Sequence, residues 1–458
     1  MTNLSGANLN NGAAVGPQCE GRDSPSNFRK YSAYKDSGVV WLGGIPAHWN
    51  IKKFRYVFEE SPEKITDEVV GDMLSVSGYR GIEVKQYDDE GRRRTDEELF
   101  GYRVVRPGQL VVNTMWLNYA GLGVSEHEGH VSPAYRSYWI DPAMDKRFIH
   151  HLMRSGTYVQ GYTRLLTGIR PNSLQMGRDD LMVFPVLLPT KSEQTQIARF
   201  LDHETARIDA LIEEQQRLVE LLKEKRQALI SHAVTKGLDP TVPMKDSGVE
   251  WLGEVPAHWD VMALKWRARI KSGDGISPSL IEAELSTQNP IPVIGGNGVM
   301  GYTSQGNITP PIIAIGRVGA LCGNVHKIYE PAWVSDNALV LEAQRESLDL
   351  AYLAHVLNAR NLNQMADKSA QPLITGSKVT SQCLPCPCLD EQRAIAAFVD
   401  SVLAEFDELT LAGEEGIELL KERRSALISA AVTGKIDVRG WQPPPHTQAP
   451  VSAAAEAN

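Results

Sequence analysis

Cysteine is scarce in this 458-residue chain, with five in all and therefore an odd number. So sparse a set builds no disulfide framework and suits a reducing compartment, which points to the cytoplasm. Long hydrophobic runs are missing too, since no stretch approaches the roughly 18–20 apolar residues of a membrane span. The opening MTNLSGANLNNGAAVGPQCEG has neither a basic start nor an apolar core, so no secretory signal is read there. Excess positive charge is absent as well, and a net charge of −9 counts mildly against nucleic-acid binding. The deficit is local, however. Residues 389–437 carry 11 acidic and 5 basic side chains, whereas residues 31–190 carry 20 and 19, and residues 245–388 carry 13 and 11.

The common catalytic signatures are also missing. There is no G-x-x-x-x-G-K-[ST] phosphate loop, no G-x-S-x-G elbow, and no [N/D]-P-P-[Y/F] motif, Thr309-Pro-Pro-Ile312 being the nearest approach. Gly296–Gly301 matches G-x-G-x-x-G after a plausible strand, but no helix pattern follows, so a Gly/Asn turn is the better reading. Asp72 with Glu83-Val84-Lys85 imitates a nuclease constellation but has no counterpart elsewhere in the chain. Cys383, Cys386 and Cys388 resemble a metal cluster. The matching positions of a repeat described below are Pro185, Leu188 and Thr190, so strand-end packing is favoured over a metal site.

What the chain does have is itself, twice. Lys35–Asn50, KDSGVVWLGGIPAHWN, returns as KDSGVEWLGEVPAHWD at Lys245–Asp260, with 12 of 16 positions identical. Glu193–Asp239 returns without a gap at Glu391–Asp437, with LLKEKRQALIS answered by LLKERRSALIS. The intervening stretches, 51–192 and 261–390, show little likeness. Two similar frames therefore carry two dissimilar inserts in equivalent positions.

Met73–Val76, Tyr102–Val105, Gln109–Asn113 and Ser137–Ile140 alternate and are rich in Val and Tyr, which predicts short strands. So do Pro292–Ile294, Ile312–Ile315, Asn324–Tyr329 and Ala338–Glu342. The repeated segments predict long helices, and Thr190 with Glu193 has capping-box spacing. A helix of about 44 residues spans ~66 Å, more than one small core needs. That favours two helices packed on each other over two independent hairpins. The expected seam comprises Leu201, Ile208, Leu211, Leu218, Leu222 and Leu229 on one helix. On the other it comprises Val399, Phe406, Leu409, Leu420 and Leu427. Gln215 and Lys225 interrupt the first seam, and Gly413 and Gly416 interrupt the second helix.

The predicted fold class is α+β, with two globular domains alternating with two long helices in a pseudo-twofold repeat. Its segments are a disordered tail at 1–29, a domain at 30–190, a helix at 191–237, a domain at 238–388, a helix at 389–437 and a disordered tail at 438–458.

The candidate contact residues lie in insert loops. In the first insert they are Tyr79, Arg80, Arg92, Arg93 and Arg94; Asn113, Asn118 and Tyr119; and Ser132, Tyr135 and Arg136. In the second they are Asn297, Tyr302 and Arg317, then Asn324, Lys327 and Asn337. Planar, amide and guanidinium groups are the side chains able to make bidentate contacts with base edges.

The pattern W-L-G-x-[IV]-P-x-H-W opening each half, with the entry P-x-x-x-E-Q-x-x-I-A-x-F-[LV]-D into each helix, resembles the specificity subunit of type I restriction–modification systems. Val131-Ser-Pro-Ala-Tyr135 and Arg317–Asn324 look like parts of that family's target-recognition domains. The resemblance covers about residues 31–437. It implies a non-catalytic DNA-reading subunit in which each insert reads half of a split, asymmetric site. It further implies that the helices pack as an antiparallel coiled coil, set the spacing and dock two methyltransferase subunits, with restriction subunits joining. S-adenosylmethionine, ATP and Mg²⁺ are then expected on partners and no cofactor or metal on this chain. A single-chain nuclease or methyltransferase with drifted motifs, or a protein-binding scaffold, are the alternatives.

Overall fold

The computed structural model describes residues 28–87, 94–168, 174–367 and 372–444. They form two compact units, one of Met1–Glu214 with Gly416–Asn458 and the other of Gln215–Glu415. Each holds one insert and part of each long helix. Most of both expected tails lies outside the described residues.

The repeated W-L-G-x-[IV]-P-x-H-W segment makes the same small frame in each unit. In the first, Tyr34–Asp36 pairs antiparallel with Gly44–Pro46, and Asn50–Lys53 pairs antiparallel with Pro185–Leu188, which leads into the long helix. In the second, Met244–Asp246 pairs with Glu254–Pro256, and Asp260–Ala263 with Cys383–Cys386. The Trp49 and Trp259 rings are completely buried beneath these pairs. The cysteine cluster thus lies on and just beyond a strand. Burial pushes the Cys386 thiol up to about 11. Among the described residues no three His, Cys, Asp or Glu side chains are placed to hold a metal ion.

The inserts share a sheet topology that their sequences do not advertise. The first has a four-stranded antiparallel sheet in the order Phe58–Glu60, Tyr135–Ile140, Leu110–Asn113, Leu122–Val124. The second repeats it with Ala268–Ser272, Ala338–Ala343, Ile312–Gly316, Val325–Ile328. The strands Leu110–Asn113 and Ile312–Gly316 are buried throughout, hence their unbroken apolar runs. The other sheet matches in three strands, the first insert adding Arg103–Val105 beside Gly129–Val131 as a fourth. Asp72–Ser77 pairs antiparallel with Gly81–Val84 and parallel with Gly129–Val131, and Ile291–Gly295 pairs likewise with Gly298–Thr303 and Trp333–Val334.

Two long helices, Lys191–Lys236 and Leu389–Val432, complete the expected mixed architecture. Thr190 and Glu193 form the capping box: Glu193 N–H donates to Thr190 Oγ1 at 3.3 Å and Thr190 N–H to Glu193 Oε2 at 3.2 Å. The first helix stops one residue earlier than expected, at Gly237, whose φ of +76° favours glycine. The second stops five residues early, before Gly434 with φ +71°.

The helices pack antiparallel. In the first unit Arg424 Nε donates to Asp209 Oδ1 at 2.8 Å, and in the second Arg226 Nη2 lies 3.3 Å from Asp407. These are the same two repeat positions, used twice. The seam itself differs from expectation. Ile208, Val399, Phe406 and Leu427 point inward, Leu201 is buried, and Leu222, Leu229 and Leu420 are half-buried. Leu211, Leu218 and Leu409 instead stand outward, 42%, 47% and 45% exposed, while Ile212, Val219, Val402 and Ile417 point inward. The inward stripe of the first helix runs 208, 212, 215, 219, 222, 226, with alternating steps of four and three. Following leucines alone lands about 100° away, on the next stripe. Gln215 does lie on the seam, but Lys225 is exposed and Arg226 takes its place. Helix 389–432 runs unbroken through both glycines. A Cβ on Gly413 would meet Val219 Cγ2 at 2.7 Å, so glycine there permits close approach. Gly416 meets nothing within 4 Å.

Val438 and Trp441, expected at the start of a disordered tail, are packed instead. Val438 is buried, Gln196 Nε2 donates to the carbonyls of Val438 and Trp441, and the Trp441 ring packs edge-on against Phe200.

Candidate nucleic-acid interface

The motif residues of the helix entry hold each insert to the frame. Glu193 accepts from His48 Nε2 at 2.8 Å and from Trp49 Nε1 at 3.4 Å. Burial favours its protonated form, but hydrogen bonds from His48, Thr190 and Trp49 outweigh this and hold its carboxyl below the usual range. Glu391 accepts from His258 at 3.0 Å. The next residue repeats as faithfully. Gln194 Oε1 accepts from Asp145 N–H at 2.7 Å, and Gln392 Oε1 from Asp349 N–H at 2.7 Å. Asp145 and Asp349 are the N-caps of helices Lys146–Arg154 and Leu350–Ala359. The motif aspartates then bind those helices from the side. Asp202 is 2.9 Å from His151, and Asp400 is 3.0 Å from His355. E, Q and D of the motif therefore clamp the hairpin frame, the helix start and the helix flank in turn.

The insert loops lie at the sheet ends. In the first unit, Gly78–Arg80 packs beside Trp116–Gly121; a Cβ on Gly78 would meet the Tyr119 carbonyl oxygen at 2.7 Å. Tyr119 is exposed and lies 5.8 Å from Trp116, itself 56% exposed. Tyr79 is not free: its hydroxyl donates to Asp209 Oδ1 at 2.5 Å, and the Arg424 guanidinium sits 4.7 Å over its ring. Arg80 is exposed and pairs with Glu83 at 3.4 Å. Asn113 is buried and accepts from Met115 N–H, shaping the turn, while Asn118 Oδ1 is buried without a partner. Ser132 closes a turn onto Tyr135, which is half-buried. Arg136 is spent on Glu60 at 2.7 Å, and Arg94 lies over the Tyr102 ring at 5.6 Å. Arg92 and Arg93 lie outside the described residues.

In the second unit, Gly295–Met300, Val318–Leu321 and Asn337 line one open groove. Asn297 sits on its rim and accepts from Asn324 Nδ2 at 3.3 Å. Arg317 is close by. Its Nη1 donates to Ser272 Oγ at 3.1 Å and its buried Nε has no partner. Tyr302 lies on strand Gly298–Thr303, opposite Pro292. Lys327 is not part of this cluster, because its ammonium is 2.9 Å from Asp400 on the long helix.

A family model, the type I restriction modification DNA specificity domain, matches residues 259–419. The specificity subunit of the type I restriction enzyme EcoprrI from Escherichia coli is 34% identical over 142 residues, which is 31% of this chain and 34% of its own length. The chain is therefore similar to specificity subunits of type I restriction–modification systems. The MjaVIII specificity subunit of Methanocaldococcus jannaschii is 24% identical over 282 residues, 55% of this chain and 62% of its own. The chain thus spans less than two thirds of the length of either relative. A solved chain from work on complex assembly and conformational transition of the type I R-M system has a TM-score of 0.66 at 16% identity. It covers 85% of this chain and 98% of its own length, a likeness of fold.

Sequence reasoning missed the exposed Met115 and Trp116 of the first insert and the exposed Val299, Met300 and Leu321 of the second. Apolar residues beside glycine in loops were the available signal. It also missed Arg154 and Asn363, which bind backbone carbonyls at the loops and strand ends and carry no motif.

Proposed function

We propose that this chain is the non-catalytic DNA-reading subunit of a type I restriction–modification complex, each insert reading one half of a bipartite, asymmetric site. The observation that carries the reading is one insert fold present twice on one frame, with different side chains at the loop ends. An identical scaffold with unlike surfaces suits two unlike half-sites. Loop groups such as Arg80, Trp116 and Tyr119 in the first unit, and Asn297, Met300 and Asn337 in the second, supply discrimination, and non-specific phosphate contacts supply much of the affinity.

The long helices set the distance between half-sites and dock two methyltransferase subunits, with restriction subunits joining that assembly. Outward leucines such as Leu211, Leu218, Leu409 and Leu419, unneeded by the seam, are the side chains offered to such partners. S-adenosylmethionine, ATP and Mg²⁺ belong to the partners, and this chain contributes no chemical step. The test is base-resolved mapping of methylated adenines produced by the assembled complex. A two-part, non-palindromic motif with a fixed gap is expected; a continuous or palindromic motif would refute the reading.

A further inference from the structure

Each insert has one side chain that gathers the backbone of its loops. In the first, Arg154 ends helix Lys146–Arg154 and reaches four carbonyl oxygens on two separate segments. Its Nη1 donates to Ser77 at 3.2 Å, Ala120 at 3.1 Å and Leu122 at 2.5 Å, and its Nη2 donates to Gly78 at 2.8 Å. Those acceptors immediately precede Tyr79 and Arg80 on one loop and follow Trp116 and Tyr119 on the other. The planar fork lets one group hold both loops, which a single ammonium does poorly. Tyr79 adds a second tie, to Asp209 and beneath Arg424.

In the second insert the same office falls to Asn363, from the short turn Leu362–Met365. Its Nδ2 donates to the carbonyls of Ala320 at 3.0 Å and Cys322 at 2.8 Å, which flank the exposed Leu321 on the groove. Gly323, with φ +91°, allows this approach, since a Cβ there would meet Asn363 N at 2.5 Å. Arg154 thus holds the strand ends Ser77 and Leu122 together with the loop carbonyls of Gly78 and Ala120, while Asn363 Nδ2 also lies 3.6 Å from Cys322 Sγ. The two solutions differ: Arg154 joins two loops, whereas Asn363 fixes the single loop that carries Leu321.

We propose that Arg154 and Asn363 are the positioning residues that set base discrimination, Arg154 for the first half-site and Asn363 for the second. This rests on the reading of the chain as a bipartite DNA reader. Bidentate base contacts need planar groups held within tenths of an ångström, so a loosened loop loses discrimination before it loses general affinity.

The experiment uses the full chain assembled with its methyltransferase subunits, acting on a randomised DNA library read at base resolution, with the thermal midpoint of every complex recorded. Arg154→Met should lower the preference at one or more positions of the first half-site by roughly tenfold and leave the second unchanged. Asn363→Ala should do the converse. Arg154→Lys should fall between wild type and Arg154→Met, a grading that general loss of fold does not produce. If Arg154→Met fails to assemble, Arg154→Lys and Asn363→Ala decide the matter. Folded variants with the wild-type motif, or relaxation of both halves by either change, would overturn the proposal. A wild-type motif without two halves would overturn the underlying reading as well, and this is seen before any variant is made.

Discussion

The two inserts are built alike and decorated differently. Both place a wholly buried strand third in an antiparallel sheet, Leu110–Asn113 in one and Ile312–Gly316 in the other, with loops at its end. Beside that end the first insert displays Trp116 and Tyr119 on loops, and the second Leu321 and Asn337 on loops with Met300 on the neighbouring strand Gly298–Thr303. Core positions ask only for volume and pattern, so sequence drifts there without changing the fold. Loop positions answer to whatever they touch, so the difference between inserts is concentrated in side chains the core does not need.

The largest expected effect follows from that division. Replacing residues 51–190 by the insert of another specificity subunit should exchange the first half of the methylated motif outright and leave the second half and the gap untouched. Base-resolved methylation mapping checks this.

Next comes the clamp, which the two units make unequally. Glu193 binds His48, Trp49 and Thr190, whereas Glu391 binds His258 and Trp259 Nε1 has no partner among the described residues. Glu193→Ala should cost about 2 kcal/mol, because it leaves the buried Trp49 Nε1 unmet and breaks the bonds to His48 and Thr190, and Glu391→Ala about 1 kcal/mol. Denaturant unfolding measures both, and equal losses would blur the comparison.

A pH difference is of similar size. His150 is held down to about 3 by burial first, with Arg154 and His151 adding to it. Aligning His151 with His355 places Ala354 at the equivalent position, so only the first unit has this group. Its stabilising contribution is complete above the unfolded histidine value near 6.5 and falls as pH drops, because the unfolded chain takes the proton. Between pH 7 and 5 the loss is about 2 kcal/mol. Denaturation across that range should show a shallower slope in His150→Ala, the remainder coming from His326 and His355, which burial also depresses.

The smallest effect separates the helix faces. Val219→Ala on the seam should cost about 1 kcal/mol, while the outward Leu218→Ala stays within about 0.5 kcal/mol in the isolated chain. Thermal melting distinguishes them.

Much of the frame was legible because repetition exposes it. The doubled H-W and E-Q segments, the capping box at Thr190 and the helix lengths all follow from local pattern. Their purpose was not legible, since Glu193 meets His48 across 145 positions and Gln194 meets Asp145 across 49. The seam was half legible: leucines on two adjacent stripes look equivalent in sequence, and β-branched Ile212 and Val219 took the inner one. The candidate contact residues were least legible. Arg136, Lys327 and Tyr79 have the right chemistry for bases, yet distant Glu60, Asp400 and Asp209 already engage them. No spacing rule reveals an ion pair between segments that only the fold brings together.

The central claim is that one frame carries two interchangeable readers. It is tested most directly by a chain with the first insert in both places, residues 51–190 replacing 261–388, assembled with methyltransferase subunits and mapped for methylated adenines. The account predicts an inverted repeat of the first half-site at the wild-type gap. An asymmetric motif, or one retaining the original second half, would contradict it.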